Sequence, residues 1–187
     1  MKPELTKHLI PLSLVLLLTS TIWIVGHVTW INFVLLIVGL SLGAFFLDID
    51  HLIYWLYTHP QLEESRLARI AINKKDVRTL LNLLELTHKK HTNLIFHHYI
   101  FQLVLIALSL FVFTSTGSIF GMAFLFSLNL HLWIDEFSDF QTNKIHLQDW
   151  LFARSPKQLP QAYFPHLLTA IGIFLLLCLW LLIKTKL

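Results

Sequence analysis

The stretch WINFVLLIVGLSLGAFFLDIDHL, Trp30–Leu52, decides the fold. From Trp30 to Leu47 it is almost wholly apolar, and a bilayer core takes about 20 such residues per helix. It then runs straight into Asp48, Asp50 and His51. An ionised Asp in the middle of a bilayer costs roughly 2.5–3.5 kcal/mol on insertion scales, and less near the interface. The stretch therefore reads as a membrane helix that delivers acidic and imidazole groups to one membrane surface.

The rest of the chain supports that solvent. Of its 187 residues 56% are hydrophobic and only 13% charged, with a mean hydropathy of +0.67. A soluble domain carries about 25% charged residues, so a water-soluble globular protein is excluded as the basic description. The net charge of +3 is small, and no nucleic-acid partner is expected. Cys178 is the sole cysteine, which rules out a disulfide within one chain and a cysteine-based metal site. Eleven histidines are many for so apolar a sequence, and several stand beside Asp or another His.

Five apolar stretches meet the length criterion, roughly at residues 8–25, 30–47, 94–114, 118–134 and 165–183. They predict an all-α fold: a polytopic membrane helix bundle of about five transmembrane helices, forming one integral membrane domain over residues 1–187. The first stretch, HLIPLSLVLLLTSTIWIV, follows Lys2 and Lys7 but has no small-x-small cleavage site after it, so it is expected to be a retained helix. GHVT and STGS make tight turns after the first and third stretches. The other two connections, residues 58–93 and 136–164, are long.

Charge sets the orientation. Arg66, Arg69, Lys74, Lys75, Arg78, Lys89 and Lys90 fall in the first long connection, and Lys144, Arg154 and Lys157 in the second. With five crossings these share a side with Lys2 and Lys7, and only Lys184 and Lys186 lie opposite. The positive-inside rule then places the N-terminus in the cytoplasm and the C-terminus outside. The first long connection has helical spacing at Leu67, Ile70 and Ala71, and again at Val77, Leu80, Leu81 and Leu84. It predicts short amphipathic cytoplasmic helices on the membrane surface or in solvent, the second capped by Asn73 with Asp76 in its first turn.

The same topology brings separated polar residues to one depth. Asp48, Asp50 and His51 end the second span. His97 and His98 sit in the first turn of the third, and His131 and Asp135 end the fourth. Asp48 and His51 are three apart and His131 and Asp135 four apart, so each pair shares a helix face. Asp50 points elsewhere unless the helix frays. Neutral imidazole with carboxylate suits zinc, manganese or iron more than calcium or magnesium. The reading is a divalent metal site with Asp48, His51, His97, His131 and Asp135 as ligands. An open position would lower the pKa of a bound water, and Asp50 would serve as base or supporting carboxylate. Two other classes stand beside it: a membrane scaffold in which these residues form a structural Asp/His network, and a small transporter. Against the transporter, only Gln102 and Asn129 carry polarity further into the bilayer.

GLSLGAFFLDIDHLIYW with LIFHH and SLNLHLWIDEFSD resembles the predicted bacterial inner-membrane metal-dependent hydrolases, the YdjM-like proteins, which are distantly grouped with zinc-dependent phospholipase C. The resemblance covers about residues 39–140. Asp48, Asp50 and His51 match that family's D-x-D-H motif, with Leu47 in place of its usual proline, and His131 and Asp135 match its late H-x-x-x-D motif. The middle H-R-x-x-T-H motif departs, since HKKHTN, residues 88–93, ends in asparagine. His97 is the expected replacement, with His88 as fallback and His91, His98 and His166 as further candidates. The resemblance implies zinc-dependent hydrolysis of a phosphoester, in a lipid or lipid-linked substrate, at the cytoplasmic face. Membrane lipids are the expected partners, and the basic connection suits anionic headgroups. His146 and Asp149, three apart in the second long connection, are set aside, with a flap over the site as the lesser alternative. His8, His27 and His59 are read as helix-end, interfacial and turn residues. GSIFG, residues 117–121, is read as a close-packing segment, and Trp23, Trp30, Trp55 and Trp133 as an interfacial belt.

Overall fold

The computed structural model describes residues 3–87, 90–153 and 155–187. Those residues form helices α1 (Pro3–Val25), α2 (Trp30–Phe46), α3 (Ile49–Ile53), α4 (Glu63–Asn73), α5 (Val77–Thr87), α6 (Tyr99–Ser115), α7 (Ile119–Thr142), α8 (Lys144–Leu151) and α9 (Phe164–Lys184), with no strand among them. One π-helical turn, Tyr54–Thr58, follows α3. The all-helical class agrees with the sequence pattern. Among the described residues three stretches are long and apolar enough to cross a membrane: Thr6–Val25, Trp30–Thr58 and Gln161–Lys184. α6 is apolar but shorter, because residues 91–98 are drawn out of the helix.

The bundle is organised around α7, which is buried along nearly its whole length from Ile119 to Asp139. Its main neighbour is α2, and the two run in the same direction. Small residues permit this. A Cβ on Gly39 would come 2.8 Å from the Ala123 Cβ and the Phe120 carbonyl, and one on Gly43 would come 2.6 Å from the Phe124 carbonyl and the Ser127 Cβ. Lipid tails are as apolar as leucine, so close backbone approach rather than apolar burial holds such helices together. Ser127 Oγ adds a hydrogen bond to the Leu40 carbonyl at 2.7 Å. The close-packing segment is thus GLSLG, residues 39–43. In GSIFG the close approach is confined to one glycine: nothing lies within 4 Å of a Cβ on Gly117, whereas one on Gly121 would come 3.3 Å from the Val112 side chain of α6.

α1 and α9 run opposite to α2 and α7. Their far ends are pinned where the buried Trp23 donates from Nε1 to the Ile183 carbonyl at 3.0 Å. The starts of α1, α6 and α9 and the ends of α2 and α7 therefore meet at one end of the bundle. That end carries the long connections. Asp76, not Asn73, caps α5: its carboxylate accepts from the Thr79 amide at 3.0 Å and hydroxyl at 2.7 Å. Asn73 closes α4 instead, and Lys75 makes the turn with φ 54°. The hydrogen bonds from Thr79 hold the Asp76 carboxyl below its ordinary range. The second connection, for which the sequence pattern gives no element, contains α8. Leu147, Trp150 and Leu151 bury α8 against Phe152 and Phe164.

Two expected helix limits shift, both at the site end. α6 starts at Tyr99, so His97 and His98 precede it rather than forming its first turn. His98 is its N-cap, accepting from the Ile100 amide through Nδ1 at 3.2 Å. α7 continues two turns past Asp135 to Thr142 and carries Glu136 and Asp139 with it.

Candidate metal centre

The site is built on α7. His131 and Asp135 are one turn apart, both buried, with His131 Nε2 3.2 Å from Asp135 Oδ2. The His131 ring is set by its other nitrogen: Nδ1 donates to the Ala44 carbonyl at 2.7 Å. Ala44 lies in the last turn of α2, where carbonyls run out of helical donors. The bond therefore satisfies a helix end and fixes the tautomer at once. It leaves the Nε2 lone pair directed at Asp135, as a metal-ligating histidine requires.

α1 supplies the third member. The buried His8 stacks on His131 with ring centroids 3.9 Å apart, and its Nε2 is 3.3 Å from Asp135 Oδ1. One ligand atom from each of His8, His131 and Asp135 lies within 4.8 Å of the others, and this buried group could hold a metal ion. Zinc–nitrogen bonds of about 2.0–2.1 Å put neighbouring ligand atoms ~3.3 Å apart in a tetrahedral site; each imidazole stands at about that distance from one of the two Asp135 oxygens. Lys7 also reaches in, with Nζ 2.7 Å from Asp135 Oδ1.

Two further candidates border this group. Asp48, partly exposed at the break between α2 and α3, has Oδ1 3.9 Å from His131 Nε2. His97 has Nε2 3.9 Å from Asp135 Oδ2. Asp50 is turned differently. α2 ends at Phe46 and α3 restarts at Ile49, and this interruption swings the buried Asp50 toward the segment before α6. Its Oδ1 accepts from the Ile95 amide at 3.0 Å. Its Oδ2 accepts from the Phe96 amide at 2.5 Å and faces His97 Nδ1 at 3.3 Å. Both oxygens are thus occupied in ordering residues 95–97 and orienting the His97 ring, which fits a supporting carboxylate. Asp50→Asn keeps the size but puts an amide N–H against a backbone N–H. It is expected to cost about 1.5–3 kcal/mol, the value of a hydrogen bond to a charged group, read as a lowered melting temperature with faster amide exchange at Ile95 and Phe96.

His51 is fully buried but turns toward a second chain of groups. Its Nδ1 is 2.7 Å from His91 Nδ1, and His91 Nε2 is 2.8 Å from Glu64 Oε1 on α4. Tyr54 stacks on His91 at 3.9 Å. Burial pushes the His91 imidazole below its ordinary value, against the opposing pull of Glu64. His51 also faces His97, with ring centroids 5.8 Å apart.

The remaining histidines divide by position. His98 Nε2 donates to the Ala153 carbonyl at 2.6 Å, which with its capping role occupies both nitrogens. His166 is exposed. His88, the fallback ligand, lies outside the described residues. His146 pairs with Asp139 at 2.7 Å rather than with Asp149. Sequence reasoning missed His8 and Lys7 as members of the site. The signal was available, because the expectation of five crossings, which aligns His97 with His131, also puts the start of the first apolar stretch at that depth.

The chain thus gathers histidines and aspartates from α1, the α2–α3 break, the 91–98 segment and α7 at one end of the bundle. No protein-family model, no curated protein and no solved structure matches it.

Proposed function

We propose that this chain is an integral membrane hydrolase that uses a divalent metal ion, zinc in the first place and manganese or iron as alternatives. The observation that carries the reading is the buried His8, His131 and Asp135 group, with Asp48 and His97 each within 3.9 Å of one of its atoms. His8, His131, Asp135, His97 and Asp48 would hold the ion. Asp50 and the Ala44 carbonyl would orient His97 and His131, and His51 would back the site through His91. When bound, the ion supplies positive charge that polarises a phosphoryl oxygen and acidifies water.

The membrane part of the reading has five crossings, with α6 and α7 added to the three long apolar stretches. The N-terminus and the site face the cytoplasm, and the C-terminus lies outside the inner membrane. Supporting this are the basic residues of the long connections and the exposed apolar side chains of α4 and α5, Leu67, Ile70, Val77 and Leu81 among them, which suit an interfacial position. A site at that depth suits a phosphoester of a lipid or lipid-linked substrate. The likeness of the D-x-D-H and H-x-x-x-D motifs to the YdjM-like hydrolases points the same way.

One observation favours a second reading, a scaffold with a structural network. The Lys7 ammonium sits 2.7 Å from Asp135 and supplies the positive charge that a metal would otherwise bring. Elemental analysis of the full chain, purified in mild detergent, separates the two. The hydrolase reading expects about one zinc, manganese or iron per chain. Metal-free protein whose melting is indifferent to zinc and to chelator would leave the scaffold. Lys7→Met sharpens the contrast. With a metal site it removes a competing cation, so zinc affinity rises severalfold. In a scaffold it strips a buried carboxylate of its partner, and stability falls by about 3–5 kcal/mol with no zinc bound.

A further inference from the structure

With both oxygens of Asp50 accepting from backbone amides, the proton of an attacking water needs another acceptor. One residue off the metal group meets that need. His146, on α8, faces the same pocket as Lys7, His91, His97, Asp135 and Asp139. Its Nδ1 is 2.7 Å from Asp139 Oδ2, and that oxygen also accepts from Trp150 Nε1 at 2.8 Å. A carboxylate only accepts, so Nδ1 carries the hydrogen and Nε2 carries the lone pair. Nε2 is buried and has no hydrogen-bond partner among the described residues. A buried acceptor without a partner is costly, and such a group inside a polar pocket points to a ligand or reactant that completes it.

The position is rigid. Asn143 caps α8 by accepting from the His146 amide at 3.1 Å. Trp150 packs edge-on against His97 at 6.0 Å and is buried in the cluster with Leu147, Leu151 and Phe164. Asp139 lies one turn beyond Asp135 on the same helix, so α7 presents the metal group and the partner of His146 from one face. His146 lies outside the group whose ligand atoms fall within 4.8 Å of one another.

We infer that Asp139 and His146 form a proton-transfer dyad, with His146 Nε2 as the general base of the hydrolysis and Asp139 as its positioning residue. The inference rests on the hydrolase reading above. In the step, a water oxygen forms a bond to phosphorus as Nε2 takes one of its protons. The bond from phosphorus to the ester oxygen breaks, and the proton passes from Nε2 to the departing alkoxide. One water is consumed, and the histidine ends as it began.

The test uses the full chain in mild detergent, zinc, and bis(p-nitrophenyl) phosphate as the probe ester, with His146→Gln and Asp139→Asn as variants. Zinc stoichiometry and affinity are expected within about twofold of the unaltered chain in both. Hydrolysis is expected to fall by about 10²–10⁴-fold in His146→Gln, the usual contribution of a positioned base. Nitrogen NMR of labelled histidine gives a reading that does not depend on turnover. His146 should be the Nδ1–H tautomer in the unaltered chain, and should move toward Nε2–H in Asp139→Asn, where the asparagine N–H can donate to Nδ1.

Zinc lost from His146→Gln would make His146 a ligand and overturn the inference. So would a rate within threefold of the unaltered chain with zinc intact, or an Nε2–H tautomer in the unaltered chain. Zinc-loaded protein that hydrolyses no ester overturns both the dyad and the hydrolase reading. Protein that binds no zinc overturns the metal reading itself, an outcome that the zinc measurement identifies separately.

Discussion

His131→Ala should reduce bound metal from about one ion per chain to below about a tenth. His131 sits at the centre of the metal group. It stacks on His8, faces Asp135 at 3.2 Å and Asp48 at 3.9 Å, and ties the end of α2 through the Ala44 carbonyl. Loss of an outer partner of a ligand costs 10–100-fold in metal affinity, so loss of a central ligand is expected to cost more than about 100-fold. Stability falls as well, because a ring-sized cavity opens beside Asp135 and the Ala44 carbonyl loses its donor. Together these cost about 3 kcal/mol. His166→Ala is the control, since His166 is exposed and should leave metal content unchanged. The measurement is elemental analysis after purification with zinc present, followed by chelator competition to give affinities. Equal zinc in His131→Ala and the unaltered chain would remove His131 from the site and the metal reading with it.

What was legible in the sequence follows the physics of each signal. The helical class and the apolar stretches were legible because a bilayer tolerates few polar residues over a fixed length. The gathering of His97, His131, Asp135 and Asp48 was legible because the alternating direction of successive long helices sets which helix ends share an end of the bundle. That argument needs only the order of the spans. It applied equally to His8 and Lys7, which were passed over because no local motif marks them. Less legible was anything set by a local break. Asp48, Asp50 and His51 share one short motif, yet the interruption at residues 47–48 sends them to three destinations: His131, the Ile95 and Phe96 amides, and His91. No spacing rule for an unbroken helix yields that. The start of α6 was misplaced for a related reason. Apolar Leu94, Ile95 and Phe96 read as helix, but Asp50 takes two of their amides, and His98 caps the helix that follows. The Asp139–His146 pair joins the extended end of α7 to a helix with little apolar pattern of its own, so only the folded chain puts them together.

Gly43→Val should be among the most destabilising single substitutions in the chain, although Gly43 has no chemistry. A Cβ there would stand 2.6 Å from the Phe124 carbonyl oxygen and the Ser127 Cβ. Two backbones meet at that point, so no flexible side-chain tip can yield, and α2 must move away from α7. Overpacking of a tight interior costs about 1–3 kcal/mol and sometimes more. Here the displacement is also expected to break Ser127 to the Leu40 carbonyl and His131 to the Ala44 carbonyl, at about 1 kcal/mol each. The total expected loss is about 3–5 kcal/mol. The second of those bonds links packing to the site. Once Ala44 withdraws, the His131 tautomer is no longer fixed and Asp48 retreats with the end of α2. Zinc affinity should therefore drop by about 10–100-fold even in whatever fraction stays folded. Gly43→Ala should show the same two effects at smaller size. Gly117→Ala, with nothing within 4 Å of the added Cβ, should melt with the unaltered chain. Thermal unfolding in detergent, with zinc titration of the folded fraction, reads both effects. Gly43→Val with unchanged melting would mean that α2 and α7 do not pack through their glycines. Lowered melting with full zinc affinity would mean that the site does not depend on the α2 end, and His131 would then owe its orientation to something other than Ala44.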